Sequence, residues 1–75
     1  MKIIILGAGQ VGTSMGEILS REDNDVTLVD IDSEKLAGLQ DRLDIRTVAG
    51  AASYPSVLER AGVDDADLIL AVTDQ

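Results

Sequence analysis

The sequence predicts an α/β fold in which strands and helices alternate around a parallel sheet. Three observations carry that prediction. Short apolar runs rich in β-branched residues recur at 2–6, 26–29, 46–49 and 68–72. The stretches between them place apolar residues at helical spacing. Hydrophobic residues make up 45% of the chain while Tyr54 is its only aromatic, an aliphatic supply suited to a sheet buried on both faces. The expected order is β-α-β-α-β-α-β. Right-handed crossovers make the sheet parallel and doubly wound, with strand order 3-2-1-4.

Residues 2–6 are a β-branched run with no turn residue and read as the first strand. Residues 7–12 are the turn. The helix that follows has Val11, Met15, Ile18 and Leu19 as its expected buried face, and it ends in the polar stretch 20–25. Residues 26–29 form the second strand. Ser33 is the expected N-cap of the second helix, Glu34 suits its first turn, and Leu36, Leu39 and Leu43 mark its inner face. Residues 46–49 are the third strand and 50–53 a turn of small residues. Pro55 fits the first turn of a third helix, in which Val57, Leu58 and Ala61 face inward and Gly62 is the stop. Residues 68–72 are the fourth strand.

The composition excludes several classes of function. With no cysteine there is neither a disulfide framework nor a thiolate metal site. With no histidine the usual general base, metal ligand and pH switch are all missing. Fourteen acids against six bases leave a net charge of −8, which disfavours nucleic acid and anionic membranes. The opening apolar run is too short for a signal peptide or a membrane span, and a cytoplasmic location is expected. The six basic residues form no run and read as solvated charges or weak ion-pair partners.

The motif Gly7-Ala8-Gly9-Gln10-Val11-Gly12 is a complete GxGxxG. Alone it is weak. Here it follows a strand, opens a helix and has an acid downstream in a β-α-β unit. Gly7 permits the tight turn, Gly9 lets backbone approach a pyrophosphate, and Gly12 lets the helix pack closely. The helix N-terminus then supplies N–H groups and the positive end of a dipole. The loop lacks the lysine ending of a P-loop. Asp30 closes the second strand 23 residues beyond Gly7 and 18 beyond Gly12, near the spacing of a ribose-binding acid. A carboxylate there accepts from both ribose hydroxyls and repels a 2′-phosphate, so NADP is expected to bind poorly. The pattern is therefore the first, adenosine-binding half of a Rossmann-like fold over residues 1–75.

Ile31 and Asp32 follow the acid and complete that side of the expected cofactor site; Asp32 fits either a second ribose contact or the start of the helix. Gly50 and Ala51 open the turn expected to flank the adenine, where small residues leave room for a flat base. Ser53 is read as an N-cap. Thr73 follows the fourth strand at the switch point where ligands bind, while Asp74 is expected to face water. Tyr54 suits either a base or the cover of a helix start.

The segments MKIIILGAGQVG at 1–12, DVTLVDIDSEKL at 25–36 and VLERAGVDDADLILAVTD at 57–74 resemble the first regulatory domain of the TrkA family, in the RCK/KTN group of potassium-conductance regulators. The resemblance runs over the whole chain. It implies regulation rather than catalysis, with NAD, NADH, ATP or ADP as effector. It also implies a potassium-transporting membrane subunit as partner, a homo-oligomer, and a location peripheral to the inner membrane. Carried over residue by residue, the phosphate loop is Gly7 to Gly12, the ribose acid Asp30, the adenine-side turn Gly50 and its neighbours, and the strand end Thr73. Many relatives carry an acid just after the turn glycine; Ala51 stands there in this chain.

Members of that family have two nucleotide domains, and this chain ends after the fourth strand of the first, so a fragment is expected. Without the nicotinamide half, NAD should be preferred over ADP or ATP by only a modest factor. The apolar fourth strand is an expected edge for pairing with a second copy. The alternative reading is the cofactor-binding half of an NAD-dependent dehydrogenase, which shares the loop and the acid but needs catalytic groups this chain lacks. A methyltransferase fits the glycine spacing less well.

Overall fold

Four strands, β1 (Lys2–Leu6), β2 (Asp25–Asp30), β3 (Arg46–Ala49) and β4 (Leu68–Ala71), form one sheet. In the computed structural model, which describes residues 1–72, every neighbouring pair is parallel and the order is β3-β2-β1-β4. The predicted architecture is therefore present: a Rossmann-like α/β fold with helices on both faces. β1 lies inside the sheet, in register with β2 from Lys2↔Asp25 to Leu6↔Val29 and with β4 from Ile3↔Leu68 to Leu6↔Ala71.

Successive strand residues point to opposite faces, and the isoleucine run of β1 serves both. Ile3 and Ile5 join Val26 and Leu28 of β2 on one face. There they meet Leu36 and Leu39 of α2 (Ser33–Arg42), with Met15 and Leu19 of α1 (Gln10–Arg21) packed alongside. Ile4, Val29 and Val48 form the other face, against Val57 and Ala61 of α3 (Pro55–Ala61). β4 is an edge among the described strands, and its Leu68 and Ile69 are partly exposed.

Several local expectations are corrected. The buried face of α1 is partly the one expected: Val11 and Ile18 are exposed, but Met15 and Leu19 pack against the core, and the residues buried beside them on that face are Gly12 and Gly16. These four recur at the i, i+3, i+4, i+7 spacing of one helix face. Glycine marks the face because the helix packs closely against the Gly7 turn and the sheet, barring a side chain at Gly12 and crowding one at Gly16. A Cβ on Gly12 would sit 1.9 Å from the Gly7 carbonyl oxygen, and one on Gly16 would sit 3.1 Å from Leu28 Cδ1. Ser33 is the first residue of α2, and the N-cap is Asp32, whose Oδ1 accepts from the Lys35 amide at 3.1 Å. Ser53 does not cap α3; Tyr54 holds that position without a side-chain bond. β2 extends one residue further at each end than expected. Leu43 and Leu58 are only half-buried. A single 3-10 turn, Val63–Asp65, also follows the left-handed Gly62 and adds Val63 and Ala66 to the second cluster.

Two glycine-to-alanine changes in helices should have opposite signs. Gly12→Ala forces a methyl into backbone and is expected to destabilise at or above the upper end of the roughly 1–3 kcal/mol range for overpacking. Nothing lies within 4 Å of a Cβ at Gly38, so Gly38→Ala should stabilise by about 0.4–1 kcal/mol through the unfolded chain. Urea unfolding followed by far-ultraviolet circular dichroism measures both.

Candidate functional site

The carboxyl ends of β1, β2 and β3 converge on an open cleft of about 220 Å³, lined by Leu6, Gly7, Val29, Asp30, Ile31, Gly50 and Ala52. Each contributes for a local reason. Gly7 leaves β1 with a φ of 115°, in the region that L side chains avoid. A Cβ there would also sit 2.4 Å from the Val72 carbonyl oxygen. The chain therefore turns sharply at Gly7 and enters α1 after Gly9, with the Thr13 amide donating to the Gly9 carbonyl at 2.9 Å. On the far side, Gly50 turns at the end of β3, and a Cβ would meet Val57 Cγ2 at 2.6 Å. The Arg60 guanidinium donates to the Ala49 carbonyl at 3.1 Å and holds that turn from α3.

Asp30 joins these segments. Its Oδ2 accepts from the Ala8 amide at 2.8 Å and its Oδ1 from the Asp32 amide at 3.0 Å. Its own carbonyl accepts from the Gly50 amide, also at 2.8 Å. Burial pushes the carboxyl up, but the backbone donors Ala8, Asp32 and Ile31 and the Lys35 charge outweigh it and hold Asp30 below its ordinary 3.8. The group is an anion at neutral pH. An ionised carboxylate offers about four acceptor positions, and the two short hydrogen bonds, from Ala8 and Asp32, take one on each oxygen.

Only some of the expected site residues meet at the cleft. Gly7, Asp30, Ile31 and Gly50 line the cleft, with Ile31 highly exposed on its rim. Gly9, Gln10, Val11 and Gly12 form the entry to α1 beside it, and Gly12 is buried beneath the loop. Ala8 is itself buried in the core, with its amide on Asp30 and its carbonyl on the Thr13 hydroxyl at 3.1 Å. Asp32 spends an oxygen on the helix cap and Ala51 is half-buried in the turn; neither lines the cleft. Thr73 lies outside the described residues. Ala52, in the turn expected to flank the adenine, lines the cleft; Leu6 and Val29 in its wall were not foreseen, and neither were Thr13 and Arg60 as supports; strand-end position marks Leu6 and Val29, but nothing in the sequence marks the two supports.

A larger groove of about 520 Å³, lined by Glu17, Ser20, Arg21, Arg42, Leu43 and Asp44, lies toward the carboxyl ends of α1 and α2. Its two arginines lie against Glu17, Arg21 at 2.8 Å and Arg42 at 4.0 Å. Among the described residues no group of three or more acids, histidines or cysteines could hold a metal ion, and no helix is long and apolar enough to cross a membrane.

Two outcomes follow for the acids. Asp32→Ala removes the cap of α2 and should cost about 0.5–2 kcal/mol in urea unfolding. Asp30 has a lowered folded pKa, so its contribution to stability is complete above the ordinary carboxylate value and is lost as pH falls through the folded value. Acid titration of the folded fraction should therefore show a steeper limb for the wild type than for Asp30→Ala.

The TrkA-N domain family matches residues 3–75. The Trk system potassium uptake protein TrkA of Halomonas elongata is 64% identical over 74 residues, covering 99% of this chain and 16% of that protein. The protein of the same name from Haemophilus influenzae is 60% identical over 73 residues, covering 97% of this chain and again 16% of the relative. This chain thus spans about one-sixth of the length of these curated relatives. A solved structure of the Kef C-terminal domain from Shewanella denitrificans, in AMP-bound form, superposes over 100% of this chain and 44% of its own, with a TM-score of 0.82 at 27% identity. With a family match that leaves out only Met1 and Lys2, the chain belongs to the TrkA-N domain family.

Proposed function

We propose that this cleft binds the adenosine diphosphate portion of NAD(H), or an adenine nucleotide such as ATP or ADP, and that binding is a regulatory signal in potassium uptake. The observation that carries the reading is the ionised Asp30 carboxylate, which faces the cleft beside Gly7 and Gly50 with acceptor capacity left on both oxygens. Two vicinal ribose hydroxyls are two donors of matching spacing. The pyrophosphate would lie over the opening turn of α1, at residues 9–12, on the positive end of the helix dipole. Gly50 and Ala52 leave the far wall flat, and Ile31 offers an apolar face at the rim for the base. The AMP in the similar Kef domain and the potassium-uptake names of the relatives support this reading.

A sensor is favoured over a catalyst by the chemistry of the lining. Asp30 is the only ionisable residue among the described residues that line the cleft, and a carboxylate held below its ordinary pKa is a weak general base. A ligand that regulates must contact two states of the assembly unequally. In this proposal the partner is a potassium-transporting membrane subunit, and the chain works at the cytoplasmic side of the inner membrane as part of a homo-oligomer.

Calorimetric titration of the chain with NADH, ATP and NADP tests the site. NADH and ATP should bind within a modest factor of each other. NADP should bind at least about tenfold more weakly, because its 2′-phosphate meets an anion. Asp30→Ala should reduce NADH affinity by about tenfold or more, the loss of hydrogen bonds to a charged group. Equal affinity for NADP and NADH would remove the ribose-acid assignment, and no binding by any of the three would remove the nucleotide reading.

A further inference from the structure

The backbone ladder between β1 and β2 ends at Leu6↔Val29, where the Gly7 amide still finds the Val29 carbonyl at 2.8 Å. One residue on, the chain has turned at Gly7, and the Ala8 amide is served by a side chain: Asp30 Oδ2 at 2.8 Å. Ala8 is 1% exposed, so losing that acceptor would leave an N–H buried without its partner. The Ala8 carbonyl is held in turn by the Thr13 hydroxyl. The glycine loop is thus pinned at Ala8 between the end of β2 and the second turn of α1.

We infer that Asp30 is a positioning residue for the phosphate loop as well as the acceptor for the ribose, an assignment that rests on the nucleotide reading above for its binding consequence. Its carboxylate holds the Ala8 amide and so sets the path from β1 into α1 before any ligand arrives. A residue that only contacts ribose has no influence on a ligand without ribose hydroxyls. A residue that also shapes the loop does. Substituting Asp30 therefore weakens binding of a nucleotide diphosphate even when both hydroxyls have been removed from the sugar.

The test pairs amide hydrogen exchange with calorimetry, on the wild-type chain and on Asp30→Ala. In the variant the Ala8 amide should exchange at least about tenfold faster, while Ile5 and Leu28 in the core keep their protection and show that the fold is intact. With ADP and 2′,3′-dideoxy-ADP as probes, the variant should lose the preference for ADP and also bind the dideoxy compound about threefold or more weakly than the wild type does. If Asp30→Ala does not fold, Asp30→Leu, which keeps the branched shape and has no acceptor, is measured in its place, with the same expected directions. Unchanged exchange at Ala8, or unchanged affinity for the dideoxy compound, in a folded variant would overturn the positioning role. If the wild-type chain binds neither nucleotide, the nucleotide reading fails, while exchange at Ala8 still decides whether Asp30 holds the loop.

Discussion

A single charged hydrogen bond closes the top of this sheet. Where the β1–β2 ladder runs out, the Asp30 carboxylate takes the Ala8 amide, and the same residue receives the Gly50 amide on its carbonyl. Three segments that are far apart in the chain therefore meet at one residue. The carboxylate reaches the loop at Ala8 and the chain entering α2 at Asp32, while the backbone carbonyl holds the turn after β3. The donors that organise the loop also stabilise the charge. Structure and proposed recognition thus meet in one group: the donors that keep Asp30 ionised also keep the loop in place.

Close approach of backbone shapes the rest of the site. α1 lies low on the sheet because Gly12 and Gly16 present no side chain to it, and this brings the opening turn of the helix against the end of β1. The far wall is set in the same way, by Gly50 against Val57 and by Arg60 on the Ala49 carbonyl. The cleft is consequently bounded mostly by main chain and small or aliphatic side chains. Such a surface suits the proposed ligand, which would be held by its shape, hydroxyls and phosphates, and among the described residues only Asp30 in it is ionisable. That economy agrees with a chain that has no histidine and no cysteine.

The charge balance follows a related division of labour. With a net charge of −8, the chain does not gather anionic ligands by its overall field. Phosphate affinity in a fold of this kind falls to local partial charges at a helix start, and these act over short range. In the proposed binding mode, the anion at Asp30 takes the ribose end instead.

Much of the fold was legible in the amino-acid sequence. The four strands, their parallel order 3-2-1-4, the glycine turn and the acid at the end of β2 all follow from local signals: β-branched runs, a glycine spacing, a carboxylate at the right remove. Local signals have local causes, and so they can be read without the tertiary structure. The face of α1 could not be read that way. Val11 and Ile18 satisfy the helical period as well as any residues in the helix, and only the distance between helix and sheet makes Gly12 and Gly16 the buried positions. The same holds for the cap of α2: both Asp32 and Ser33 are good caps by type, and the path of the chain out of β2 places Asp32. The bond from Asp30 to Ala8, the Thr13 hydroxyl on the loop and Arg60 on the β3 turn likewise join residues whose separation in sequence carries no signal. The sequence by itself determined which elements form and where the glycines and the acid stand along them. Only the tertiary structure decided which atoms face one another across the cleft, because hydrogen bonds between distant segments depend on how closely those segments pack.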